Sequence, residues 1–143
     1  LNLIEKRPII LMSDVFIDSN IILYLLDTDL RKSLIAKEIL AKKPLINSQV
    51  LVEVINVCKR KFGYTKPECL SLWKDLQYAC KIASIDESTT KLCESLVDQY
   101  NFQLFDSLIV ASAIQSNCKI LYSEDMQHNL IVNNDLKIVN PFV

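Results

Sequence analysis

The chain has 143 residues, half of them hydrophobic and 23% charged, with 16 Lys and Arg against 17 Asp and Glu for a net charge of −1. A chain of this length buries about two-thirds of its unfolded surface, and its composition lies far from that of a disordered segment. The charge excludes a strongly basic nucleic-acid-binding module, so any polyanion must be held by local cations: Lys42-Lys43, Lys59-Arg60-Lys61 or Lys66. Runs like these also occur simply as solvated cations at a helix C-terminus.

The longest apolar runs, such as Leu108 to Ile114, break well before the ~20 residues that a membrane span needs, so no transmembrane helix is expected. The first residues carry one acid and two bases before a short apolar stretch, with no small-residue cleavage site, which argues against a signal peptide. Met12 directly precedes the first strong strand. Residues 1–12 therefore read as an N-terminal extension and residues 13–143 as a single domain. Cys58, Cys69, Cys80, Cys93 and Cys118 are odd in number and form no C-x-x-C pair, which opposes a zinc site and a disulfide framework. Free, mostly buried thiols in a cytoplasmic protein are the expectation.

In chain order, short β-rich runs alternate with amphipathic stretches. Strands are expected at Val15-Phe16-Ile17, Leu45-Ile46, Ile82 to Ile85, Ile120-Leu121-Tyr122 and Lys137-Ile138-Val139, each short and buried. Helices are expected over 20–26, 31–42, 48–62, 67–79, 88–100 and 105–116, with Ser48 and Ser88 as start signals and Pro67 in a first turn. The sum is an α/β fold, a three-layer α/β/α sandwich on a mostly parallel sheet of about five short strands. Such sheets bind ligands beyond the carboxyl ends of their strands.

Several catalytic kits are excluded because the chain has one glycine, Gly63, and one histidine, His128. Phosphate-binding glycine loops and the G-x-S-x-G nucleophile elbow are both absent. What remains is carboxylates in unusual places. Asp18 follows the first strand and precedes Ser19-Asn20; it is either a site residue or a helix cap. Glu53 lies three residues after Val50 and four before Val57, which puts it on their apolar face, where a carboxylate needs a cation, a metal or a proton. Asp106 lies at helical spacing from Phe102, Ile109, Val110 and Ala113; its alternative is a first-turn acid complementing the helix dipole. Asp125 follows the fourth strand within Ser123-Glu124-Asp125 and is preferred over Glu124, because residues two apart face the same way in extended chain.

With the first strand central and the fourth beside it, Asp18 and Asp125 emerge at one edge, and Glu53 and Asp106 approach from flanking helices. Clustered carboxylates call for an oxygen-preferring divalent cation, magnesium or manganese. His128 reads as a loop-packing residue rather than a catalyst, and Trp73 and Tyr78 as core or dimer packing rather than base-stacking residues.

At these positions the sequence resembles the PIN-domain family, specifically its bacterial members related to VapC toxins. The resemblance rests on Asp18-Ser19-Asn20, Glu53, Phe105-Asp106-Ser107-Leu108-Ile109-Val110-Ala111-Ser112-Ala113, Ile120-Leu121-Tyr122-Ser123-Glu124-Asp125-Met126-Gln127-His128 and Asn140-Pro141-Phe142. It implies a metal-dependent endoribonuclease in which Asp18, Glu53, Asp106 and Asp125 hold magnesium (or manganese) and Asn20 and Ser123 support them. It further implies an RNA substrate, a cognate antitoxin and a homodimer. One departure is Asn129, where similar sequences often carry glycine; Asn tolerates a left-handed backbone. Two other readings stay open: a catalytically weak binding module on the same fold, and a phosphatase of the haloacid dehalogenase type, which wants an acid where Asn20 stands.

Overall fold

The computed structural model describes residues 14–143, so the expected extension over residues 1–12 lies outside the described residues. The chain runs β1 (Val15–Ile17), α1 (Ser19–Leu23) with a 3-10 turn (Tyr24–Leu26), α2 (Leu30–Leu40), β2 (Leu45–Asn47) and α3 (Ser48–Phe62). It continues through α4 (Lys66–Ala79), β3 (Lys81–Ala83), α5 (Glu87–Tyr100), α6 (Leu104–Gln115), β4 (Ile120–Tyr122), β5 (Ile131–Val132) and β6 (Leu136–Val139). The sheet order is β3-β2-β1-β4-β6-β5. Every pairing is parallel except β5 with β6. The α/β sandwich expected from the alternating pattern is therefore present, with β1 central and β4 beside it.

Two expectations need correction. Among the described residues the sheet has six strands rather than about five, because β5 is only two residues long and shows no readable periodicity. It exists through its turn: Asn133 and Asn134 hold φ of 50° and 63°, and the Asp135 N–H donates to the Val132 carbonyl at 3.2 Å. Two left-handed central residues match the twist of an antiparallel hairpin, and asparagine tolerates that backbone. The second correction is β3, which lies at Lys81–Ala83 rather than 82–85 and is half-exposed rather than buried, since it is a sheet edge.

The inner strands are apolar on consecutive positions because both of their faces are covered. Phe16, Ile17, Ile46, Leu121 and Ile138 are fully buried, packed with Ile21, Ile22, Val50, Val54, Leu96 and Ile109 from the helices. The helix caps fall one or two residues before the serines expected to start them. Asn47, not Ser48, caps α3 by accepting from the Val50 N–H at 2.9 Å, and Asp86, not Ser88, caps α5 through Thr89. Thr65 and Glu68 form a reciprocal capping box on α4 with Pro67 in its first turn, and Gly63 ends α3 in the left-handed region at φ 66°.

All five cysteines are free and four are buried. Burial pushes the Cys80 thiol up to about 12 and that of Cys118 up to about 11, so neither is a nucleophile at neutral pH.

Asn47 does two things at once. It caps α3 and donates from Nδ2 to the buried Ser112 Oγ at 3.0 Å, tying β2 to α6. Asn47→Ala should therefore lower the unfolding free energy by about 2 kcal/mol in a urea titration, the sum of a lost cap and an orphaned buried hydroxyl.

Candidate functional site

The parallel pairing of β1 with β4 places Ile17 opposite Tyr122, so the residues that follow, Asp18 and Ser123, leave the sheet side by side. The Asp18 N–H extends the ladder by donating to the Tyr122 carbonyl at 3.0 Å, and the Ser123 N–H donates to Val139 at 3.0 Å. Asp18 is only 4% exposed. Its carboxylate accepts from the Ser19 N–H at 2.7 Å, the Ser123 hydroxyl at 2.8 Å and Asn20 Nδ2 at 3.4 Å. Burial raises its pKa above the usual carboxylate value, the Ser123 and Ser19 hydrogen bonds pull it back down, and the charge of Asp125 raises it again. The two readings of Asp18 are thus compatible, for it caps α1 and also stands at the strand edge.

Ser123 is wholly buried, and its hydroxyl also accepts from the Asp125 N–H at 3.2 Å. Asn20 clasps the same loop: Nδ2 donates to the Asp125 carboxylate at 3.1 Å and Oδ1 accepts from the Glu124 N–H at 3.2 Å. Glu124 turns the other way, to Lys32 Nζ at 3.2 Å. Asp125 and Glu124 therefore part on opposite sides of the loop.

Glu53 departs from expectation. It is exposed, not directed into the core, because the buried face of α3 runs through Val50, Leu51, Val54 and Cys58, one position round from Glu53 and the half-buried Val57. Its carboxylate stands at the rim. Partial desolvation, then the charge of Asp18, raise its pKa; a hydrogen bond with the Ser19 side chain lowers it, and Asp106 and Asp125 raise it further. Asp106 is half-buried in the first turn of α6, and burial followed by Asp18 and Asp125 raises its pKa. Gln49 bridges the two helices by donating to the Phe105 carbonyl at 3.2 Å.

The four acids thus feel one another's charge, and among the described residues none of them has a Lys, Arg or His ion-pair partner. An all-carboxylate set without a compensating cation suits a hard divalent ion in donor chemistry. The spacing is looser than a ligand cage: among the described residues, no three Asp, Glu, His or Cys side chains converge closely enough to hold one metal ion as they stand.

Sequence reasoning gave Ser19 no role at the site and overlooked the Lys32 clamp. The Ser19 hydroxyl was visible beside Asp18, but Lys32 reaches Glu124 across 92 positions and left no local signal. Lys32 Nζ also meets the Tyr24 hydroxyl at 3.0 Å and lies 4.5 Å from its ring centroid, while Tyr24 packs edge-on against Phe142 at 4.6 Å. His128 is a loop-packing residue, its Nδ1 accepting from the Asn140 N–H at 2.9 Å. Trp73 packs half-buried against the core, Tyr78 is exposed, and Asn129 holds the left-handed backbone at φ 68°.

Among the described residues no helix is long and apolar enough to cross a membrane. Among curated protein sequences none matches the chain. Its fold is similar to that of a toxin–antitoxin complex from Klebsiella pneumoniae, at 19% identity and a TM-score of 0.69 over 89% of this chain and 97% of the other. It is also similar to the sarcin-ricin-loop-cleaving toxin VapC20 of Mycobacterium tuberculosis, at 16% identity and a TM-score of 0.61 over 78% of this chain and 91% of that one. At these identities the likeness speaks for the fold. The family model of the PIN domain, however, matches the sequence itself over residues 15–131, which sets aside the haloacid dehalogenase reading, and the chain belongs to the PIN domain family.

Proposed function

We propose that the chain is a divalent-metal-dependent endoribonuclease, the toxin of a toxin–antitoxin pair, acting in the cytoplasm through Asp18, Glu53, Asp106 and Asp125. The observation that carries this reading is the network at the β1–β4 edge, where Ser123 and Asn20 hold Asp18 and Asp125 in one place with Glu53 and Asp106 facing them. Membership of the PIN family and the toxin relatives support it, as do five free thiols for a reducing compartment. Residues 13–143 would act as one nuclease unit.

Each residue has a separable task. Ser123 and the Ser19 N–H favour the ionised form of Asp18 against the burial that opposes it. Asn20 aims Asp125 at the same edge. Glu53 and Asp106, on helices bridged by Gln49, would supply the remaining carboxylates. A bound magnesium or manganese ion would hold the scissile phosphate, acidify a water and offset charge on the leaving oxygen. The open spacing of the acids favours a second reading, a catalytically weak module that chiefly engages a protein partner.

Partners have places to sit. A cleft of about 620 Å³, walled by Ile22, Leu25, Leu40, Leu72 and Leu76 with Lys37, Lys43 and Asp75 also lining it, fits the apolar face of an antitoxin helix. Leu104 and Phe105, 69% and 75% exposed beside Asp106, fit the pairing of two copies.

Cleavage of a mixed RNA pool in magnesium or manganese should be lost, at least a hundredfold, in Asp18→Asn, Glu53→Gln and Asp106→Asn; wild-type activity in any one removes that residue from the site. Metal binding by calorimetry without any cleavage would favour a partner-blocked or highly selective enzyme, and no metal binding would favour the binding module.

In chelator, ionising Asp106 works against the fold, since its folded pKa is raised. The carboxyl is protonated in both states below the ordinary value of 3.8, and its penalty develops as pH rises through the folded value. Asp106→Asn should therefore melt above wild type near neutral pH, with the difference vanishing toward pH 4; a difference independent of pH would contradict this.

Leu72→Asp should abolish antitoxin capture while sedimentation of the toxin alone stays unchanged, and Phe105→Asp should convert a dimer to monomers without touching antitoxin binding.

A further inference from the structure

A second cleft, of about 390 Å³, shares Asn20 with the acidic site. It lies between the 3-10 turn after α1 and the last turn of α3, and its lining includes Asn20, Leu23, Asp27, Thr28, Lys61 and Phe62. Its volume lies in the range of small-ligand sites.

Three properties single out one occupant. Asn20, which donates to both Asp18 and Asp125, also lines the cleft, so one residue joins the cleft to the acidic edge. Phe62 ends α3 at the cleft wall and is 54% exposed, a position that burial in the core does not explain. Lys61 beside it supplies a cation and has no ion pair among the described residues. An aromatic face next to a lone cation, one step from an acidic edge, is the pattern that recognises a base and its phosphate.

The remaining polar group sets which base. Asp27 uses Oδ1 to accept from the Asp29 N–H at 2.9 Å, and its other oxygen takes no hydrogen bond from the described residues. A carboxylate oxygen accepts from an exocyclic amino group, as acidic side chains do from cytosine. It repels a bare phosphate. The 620 Å³ cleft across Leu26 also holds an aromatic, Tyr78, and two cations, but Asn20 does not line it, so it shares no residue with the acidic edge.

We propose that this cleft is a nucleotide subsite, in which the base next to the scissile phosphate stacks on Phe62, presents an amino group to Asp27 and sets its neighbouring phosphate on Lys61. The proposal rests on the nuclease reading above and names the substrate contact that would give it base preference.

Two measurements test it. In cleavage of a random single-stranded RNA pool by the full chain, Phe62→Ala should raise KM about tenfold with kcat little changed. Asp27→Asn should flatten a preference for amino-bearing bases beside the cut. In a titration of the isotopically labelled full chain with AMP, CMP, GMP and UMP, the amides of Asp27, Thr28 and Phe62 should shift, least with UMP, and Phe62→Ala should remove the shifts. Cleavage by wild type with an unchanged KM and unchanged cut sites in both variants would overturn the subsite and leave the nuclease standing. If wild type cuts nothing, the nuclease reading fails and the titration alone decides. No shifts with any nucleotide would then overturn the subsite too and leave the cleft to a protein side chain.

Discussion

The alignment of β1 with β4 is the constraint from which the site follows. Parallel neighbours in register end at the same height, so Ile17 opposite Tyr122 obliges Asp18 and Ser123 to emerge together. The Asp18 N–H continues the ladder onto Tyr122, and the Ser123 hydroxyl closes the ring by donating to the carboxylate. Sliding this pair by one residue would turn every side chain at the edge to the opposite face. Burial of both strands on both faces makes that slip costly, so the hydrophobic core fixes the geometry of the polar edge.

Much of this was legible because the informative signals were local. Consecutive apolar residues marked the inner strands, and an acid directly after β1 marked the edge. What stayed hidden was nonlocal or very short. The two-residue β5 depends on an Asn-Asn turn rather than on its own pattern, and β3 looked buried because nothing in Ile82 to Ile85 reveals that no strand lies beyond it. Glu53 shows the limit of helical spacing as a guide: residues three and four apart define a face only to within one position. A rim carboxylate and a core carboxylate then look alike. Lys32 and Glu124, 92 positions apart, gave no sign of their pairing.

The site also carries a thermodynamic tension. Asp18, Glu53 and Asp106 have raised pKa values and so weaken the metal-free fold near neutral pH, while Ser123 and Asn20 hold the Asp18 carboxylate in place. The fully buried Ser123 bonds Asp18 and Asp125, and Asn20 bonds the same two carboxylates through Nδ2 and the Glu124 N–H through Oδ1. Destabilisation of this kind is the usual companion of a preorganised site.

The buried thiols give the molecule an internal clock. Cys80 sits where α4 meets β3 and Cys118 where α6 leads into β4, so they flank opposite sides of the central strands, each shielded from water and held fully protonated. A thiol in that condition reacts with an alkylating reagent only when the chain around it opens. Their labelling rates therefore time the breathing of the two halves of the sheet separately, and they also explain why mild oxidants should leave the folded protein chemically untouched at these positions.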